Sequence, residues 1–254
     1  MTHLLMGEFH KLVTTRLWLW LLLASMALTG LYATLLIGFS DDGDTWTPPL
    51  STAAGQQTLF AVAAGGANTL VAVLGAISIT GEFRHRTATA TFLATPHRSR
   101  IVAAKLITCG ITGIGYALAC LSVVTAIAIP WLAAKNISLT LTGNGLPATM
   151  LGVITDITIF ALIGVGVGAL VRNQVAAVVA LLIYRFVAEP ILTGVPALTD
   201  WTMYLPGSAS ASLTQISLTN QQFLTPWQGG LVLAGYGVAF AVAGTLTSIR
   251  RDIT

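Results

Sequence analysis

Five stretches of the chain run long and almost free of charge: 17–39, 57–80, 101–131, 148–171 and 229–249. Each meets the roughly 20 consecutive apolar residues that a helix needs to cross a bilayer core. A sixth, 174–193, is clean only from Val175 to Tyr184 and then carries Arg185, Glu189 and Pro190. A segment in lipid must satisfy its own backbone hydrogen bonds, so stretches of this length predict helices. The expected fold class is all-α: a polytopic membrane protein with six transmembrane helices forming one domain over residues 1–254. Composition excludes a soluble globule, because 12 basic and 9 acidic residues cannot coat a 254-residue protein. It excludes disorder as well, since 55% of the chain is hydrophobic and only 8% charged.

Charge placement orients the spans. Lys11, Arg16, Arg84, Arg86, Arg98, Arg100, Lys105, Arg172, Arg250 and Arg251 all fall in or beside one set of loops and termini. Of the 12 lysines and arginines, only Lys135 lies on the opposite set, and Arg185 lies within a span. Asp41, Asp42, Asp44 and Asp200 show the reverse bias. Positive charge marks the cytoplasmic side, so both termini are expected there, in a multi-pass plasma-membrane protein. Trp18 and Trp20 stand at the inner start of the first span, and Trp46, Trp131, Trp201 and Trp227 near the outer ends, as aromatic belts require. The net charge of +3 follows from this topology and gives no reason to expect a nucleic-acid partner.

Before the first span, Leu4, Leu5, Phe9, Leu12 and Val13 share one helical face with Glu8 and Lys11 off it. Residues 1–16 are therefore expected as an amphipathic helix in the cytoplasmic interface. The run from Leu17 to Phe39 is too long for the core of a cleaved signal and is expected as a retained span. The outer region 190–228 is too apolar for a solvated loop, yet Pro190, Pro196, Pro206 and Pro226 interrupt it. Short re-entrant helices dipping in from outside fit that pattern. Cys109 and Cys120 lie in one apolar stretch, about 16 Å apart on a helix and too far to bridge.

The residues for catalysis are missing. All three lysines follow His10, Ala104 or Ala134, so no Gly-Lys-Ser/Thr phosphate loop exists. Glu8, Glu82 and Glu189 have no histidine partners at metal-site spacing, so no metal is expected, and no G-x-S-x-G elbow occurs. The four histidines, His3, His10, His85 and His97, sit in the expected cytoplasmic parts. The chain is expected to be no enzyme and to hold no cofactor.

The inner loop 81–100 is richer than the positive-inside rule demands. It reads Gly81-Glu82-Phe83-Arg84-His85-Arg86-Thr87, with a helix-compatible stretch from Arg86 to Ala94 that ends near Pro96, then Arg98 and Arg100. A short charged element of this kind suits docking on a soluble partner, because charge pairs fix register. The string Gly81-Glu82-Phe83-Arg84-x-x-Thr87, then Leu93-x-x-Pro96-x-Arg98 and Ala104-Lys105, resembles the permease signature of the ABC-2 type transporter family. A Glu-x-x-Lys from Glu8 to Lys11 in the N-terminal helix, the six spans and the broken outer segment agree with it across the whole chain. Phe83 stands where that family commonly has tyrosine, and Arg86 where it has glycine.

The resemblance implies a permease subunit of an ATP-driven ABC exporter, paired with a second permease subunit in a homo- or heterodimer. ATP and magnesium would bind a separate ABC ATPase subunit. The 81–100 coupling element, through Glu82, Arg84, His85, Arg86, Thr87, Pro96 and Arg98, would meet that ATPase together with Glu8 and Lys11. The 171–174 turn would be a lesser contact. The implied cargo is a small hydrophobic or amphipathic substrate such as a drug, antibiotic, peptide or lipid-like molecule, as in multidrug efflux. Besides the second subunit and the ATPase, membrane lipids are the expected partners.

Within the membrane, Asp156, Arg185 and Glu189 form a candidate polar cluster. Charges in hydrocarbon cost at least about 2.5–3.5 kcal/mol each and so pair or face water. At about 1.5 Å per residue from the 172–173 turn, Asp156 and Glu189 reach a similar height, so the three residues can meet in the outer half. That cluster reads as a gate or substrate contact, or as an anchor between spans. Gly65, Gly66, Gly110, Gly113, Gly115, Gly164, Gly166 and Gly168 permit close helix approach. Two other classes stay open on the residues alone. One is a secondary transporter driven by an ion gradient, and the other a scaffold or immunity protein that transports nothing; dependence on a cognate ATPase separates all three.

Overall fold

The computed structural model of the protein describes residues 2–40, 48–84, 98–216 and 223–250. Among the described residues there is no strand. The chain opens with α1 (Thr2–Thr14) and continues through α2 (Leu17–Phe39), α3 (Ala53–Arg84), α4 (Arg98–Ala134) and α5 (Leu146–Val171). The next span begins as α6 (Gln174–Ile183), widens into a π-helical turn over Tyr184–Ala188 and ends as α7 (Glu189–Thr193). A 3₁₀ turn (Pro196–Leu198), α8 (Thr199–Thr202) and α9 (Pro206–Leu213) precede the last long helix, α10 (Pro226–Arg250). Six of the described helices, the α6–α7 span counted as one, are long and apolar enough to cross a membrane.

Several of these helices overrun the apolar stretches of the sequence, while α2 matches its own. The second span runs from Ala53 to Arg84 and the third from Arg98 to Ala134. Hydropathy marks only the lipid-matched middle, while the helical hydrogen bonds continue through polar ends such as Gln56, Gln57 and Glu82. Arg172 takes a left-handed conformation, its N–H bonding the Gly168 carbonyl at 2.9 Å, and ends α5. Asn173 then caps α6, its side chain accepting from the Ala176 N–H at 3.1 Å. Two residues thus reverse the chain between adjacent antiparallel spans.

The π turn has a local cause. Pro190 carries no N–H and its ring would press on the carbonyl one turn back. The helix widens ahead of it, and the Glu189 N–H reaches five residues back to the Tyr184 carbonyl. Such widened turns often sit at functional sites.

α5 is the hub of the bundle, packing on α3, α4 and α10, while α2 covers α3 and α4. The closest crossing is between α3 and α5. A Cβ at Gly164 would run into the Ala72 carbonyl, and one at Gly75 into the Ala161 carbonyl. Close backbone approach through small residues is how helices associate where lipid removes the hydrophobic drive. Gly166 does the same for α10, meeting Phe240, and Gly66 for α2, meeting Thr29. Gly65 and Gly115 face open space instead.

Polar bonds close the two ends of the bundle. At one end Gln56, fully buried, donates to the Ser138 carbonyl at 2.9 Å and accepts from Asn144 at 3.0 Å. Lys135 there donates to the Ile37 carbonyl at 2.8 Å. Exposed tryptophans stand at both ends, Trp20 at one and Trp201 and Trp227 at the other.

Candidate functional site

At the end carrying α1, four charged side chains from three helices meet. Lys105 of α4 bonds Glu8 of α1 at 2.6 Å and Glu82 of α3 at 3.2 Å. Lys11 of α1 bonds the same two carboxylates, Glu8 at 2.6 Å and Glu82 at 3.1 Å. Lys105 also donates to the Ser78 carbonyl at 3.1 Å, so its ammonium has three acceptors. The alternation of two cations with two carboxylates keeps like charges apart and leaves the group neutral.

Burial grades these contacts. The Lys105 and Glu8 side chains are 6% and 8% exposed, whereas Lys11 is 49% exposed. Burial works against the Glu8 carboxylate, but Lys105 and Lys11 outweigh it and hold its carboxyl below the usual range. Burial likewise opposes the Lys11 ammonium, and Glu8 and Glu82 overcome it, holding that lysine above its usual range.

α1 turns Glu8 toward the bundle, flanked by half-buried Leu5 and Leu12, while Met6, Phe9 and Val13 stay exposed. In water this would be inverted. Beside lipid an apolar face can stay outside, whereas a carboxylate finds cations only within the protein. A cavity of about 440 Å³ opens beside the cluster, bordered by Lys11, Glu82, Arg84, Lys105 and Gln174. Arg84 donates to Gln174 at 3.3 Å, joining the end of α3 to the start of α6.

Of the residues singled out in the sequence, Glu8, Lys11 and Glu82 come together here, with Arg84 beside them. Arg98 is the first residue of α4. His85, Arg86, Thr87 and Pro96 lie outside the described residues, as does the Arg86–Ala94 stretch. Lys105 carries the deepest contacts of the cluster; in the sequence it stands among the basic residues flanking spans and in the Ala104-Lys105 pair of the signature, with no role assigned to it. The signal was available: a lysine inside an apolar run needs an acid, and Glu82 lies in the adjoining loop.

The second polar group sits at the opposite end. Arg185 bonds Glu189 at 3.0 Å across the π turn. The other Glu189 oxygen accepts from the Gly207 N–H, the second residue of α9. A carboxylate at a helix start answers unpaired amides there, so Glu189 ties the fifth span to α9. A Cβ at Gly207 would collide with the Glu189 carboxylate and the Arg185 guanidinium, which explains glycine at that position. Gly207 escaped the sequence reading because its partner lies in another element.

Asp156 does not join the pair by a hydrogen bond. It is fully buried in α5, and neither carboxylate oxygen has a hydrogen-bond partner. An ionised carboxylate without a bonded partner in such a place is costly.

Comparison of the chain with models of protein families and with curated proteins gives no match.

Proposed function

We propose that the chain is the permease subunit of an ATP-driven exporter of the ABC-2 type, working with a separate ATPase and a second permease subunit. The observation that carries this reading is the four-way charge cluster of Glu8, Lys11, Glu82 and Lys105. It links α1, the end of α3 and the start of α4, which flank the 81–100 segment. A partner pressing on that segment or on α1 moves two spans together. The basic residues at this end support a cytoplasmic orientation, with α1 along the interface and within reach of an ATPase. The short helices α8 and α9 then lie outside as the re-entrant element.

For ATP to do work, the ATP-bound partner must bind one permease conformation better than the other. Reconstituting the chain with a candidate ATPase in liposomes tests this. ATP-dependent, vanadate-sensitive export that Glu82→Lys abolishes supports the reading. Export that persists without any ATPase and collapses with an ionophore overturns it. That second outcome favours the ion-gradient reading, for which Asp156, buried and without a hydrogen bond, would be the proton site.

A further inference from the structure

α6 packs on α3 and α5, and α10 packs on α5 and α9, but α6 and α10 do not pack along each other. The gap between them is a cavity of about 400 Å³. Its floor comes from Ala72 of α3 and from Phe160 and Ile163 of α5. Its sides come from Leu181 of α6 and Phe240 of α10. Beyond the walls the same helices expose Val179, Ile183, Val238 and Val242, an apolar surface suited to lipid.

One end of the cavity differs. There the π turn presents Tyr184 and Arg185, with Glu189 behind them. The Tyr184 hydroxyl is buried and has no hydrogen-bond partner. That hydroxyl has no open surface, so Arg185 is the group that can meet an occupant at this end. Among the described residues, the Arg185 guanidinium is engaged through Nη1, by Glu189. Glu189 itself is filled, one oxygen by Arg185 and the other by the Gly207 N–H. The Arg185 nitrogens left over are donors, and the Arg185–Glu189 pair carries no net charge.

The geometry points to a binding site between α6 and α10 for a single-chain amphiphile, entering from the lipid, whose head carries hydrogen-bond acceptors and no positive charge. The head, a carboxylic acid or amide, accepts from Arg185. The tail lies along Phe160, Ile163 and Phe240. A cationic head is rejected, because Arg185 repels it and the one carboxylate in reach is already satisfied. The volume is near the low end of the roughly 300–1,000 Å³ of small-molecule sites, which suits one chain and not a two-chain phospholipid. The proposal goes beyond the exporter reading and needs no ATPase.

The test is equilibrium binding of dansyl-undecanoic acid to the full chain in lipid nanodiscs, with empty nanodiscs subtracted. The expected result is saturable binding at one site per chain, displaced by dodecanoic acid and by dodecanamide but not by dodecylamine. Ala180→Phe, at an exposed residue on the cavity rim, abolishes it while leaving the fold intact. Binding no greater than to empty nanodiscs, binding indifferent to Ala180→Phe, or preferential displacement by dodecylamine overturns the proposal. Because the assay contains no ATPase, such a failure leaves the exporter reading standing.

Discussion

Lys105 and Glu8 stand 97 positions apart in sequence and 2.6 Å apart in space, both almost fully buried. The contact fastens the N-terminal helix to the third span. Its neighbour Lys11 makes a bond of equal length to the other Glu8 oxygen, but from an exposed position. Equal distances do not mean equal energies, because solvent screens the outer pair and not the inner one.

Lys105→Met is therefore expected to cost about 3 kcal/mol or more, since it strands buried carboxylate charge. Lys11→Ala is expected to cost less than about 1 kcal/mol. Denaturation of the two variants in detergent by increasing dodecyl sulfate measures both, and equal costs would contradict the ranking.

The same cluster sets a pH window for α1. Glu8 titrates lower in the folded protein than its ordinary 4.5, so its contribution is complete above that value and disappears as pH falls through the depressed one. Lys11 titrates above its ordinary 10.5, so its contribution holds below that value and disappears as pH rises through the elevated one. Docking of α1 should be constant between these limits and loosen in acid. A nitroxide at exposed position 10 in His10→Cys reads this, because Cys109 and Cys120 are buried. Unchanged label mobility well below pH 4.5 would argue against carboxylate-held docking.

The glycines divide by what faces them. Gly164→Ala places a methyl against the Ala72 carbonyl and is expected to cost about 1–3 kcal/mol as overpacking. Gly115→Ala points into open space and should be neutral. Thermal melts of the detergent-solubilised variants compare them, and a neutral Gly164→Ala would contradict the α3–α5 crossing.

The charges at the other end should separate into anchor and bystander. Arg185→Leu leaves Glu189, whose side chain is 4% exposed, as a buried unpaired carboxylate, a loss of about 3–5 kcal/mol. Combining it with Glu189→Gln removes the charge while keeping an acceptor for Gly207, and should restore much of the folded yield. Asp156→Asn breaks no hydrogen bond and should leave folding unharmed. Size-exclusion profiles after expression decide; wild-type yield from Arg185→Leu alone would make the pair something other than an anchor.

What could be read directly follows from lipid as solvent. A backbone without water must bond to itself, so apolar length alone determined the six helices and their order, including the interrupted 174–193 span. The same logic required Arg185 and Glu189 to pair, because they are close in the chain and neither can stay charged alone. Helix ends were harder to read, as at Ala53 and Arg84, because hydrogen bonding continues after hydropathy ends. The tertiary structure alone decided contacts between distant elements. It brought Lys105 to Glu8, set Glu189 on the start of α9, kept Asp156 from a hydrogen bond and left a gap between α6 and α10. Local periodicity shows which face of a helix is apolar, but the partner of a buried charge is chosen by how several helices pack at once.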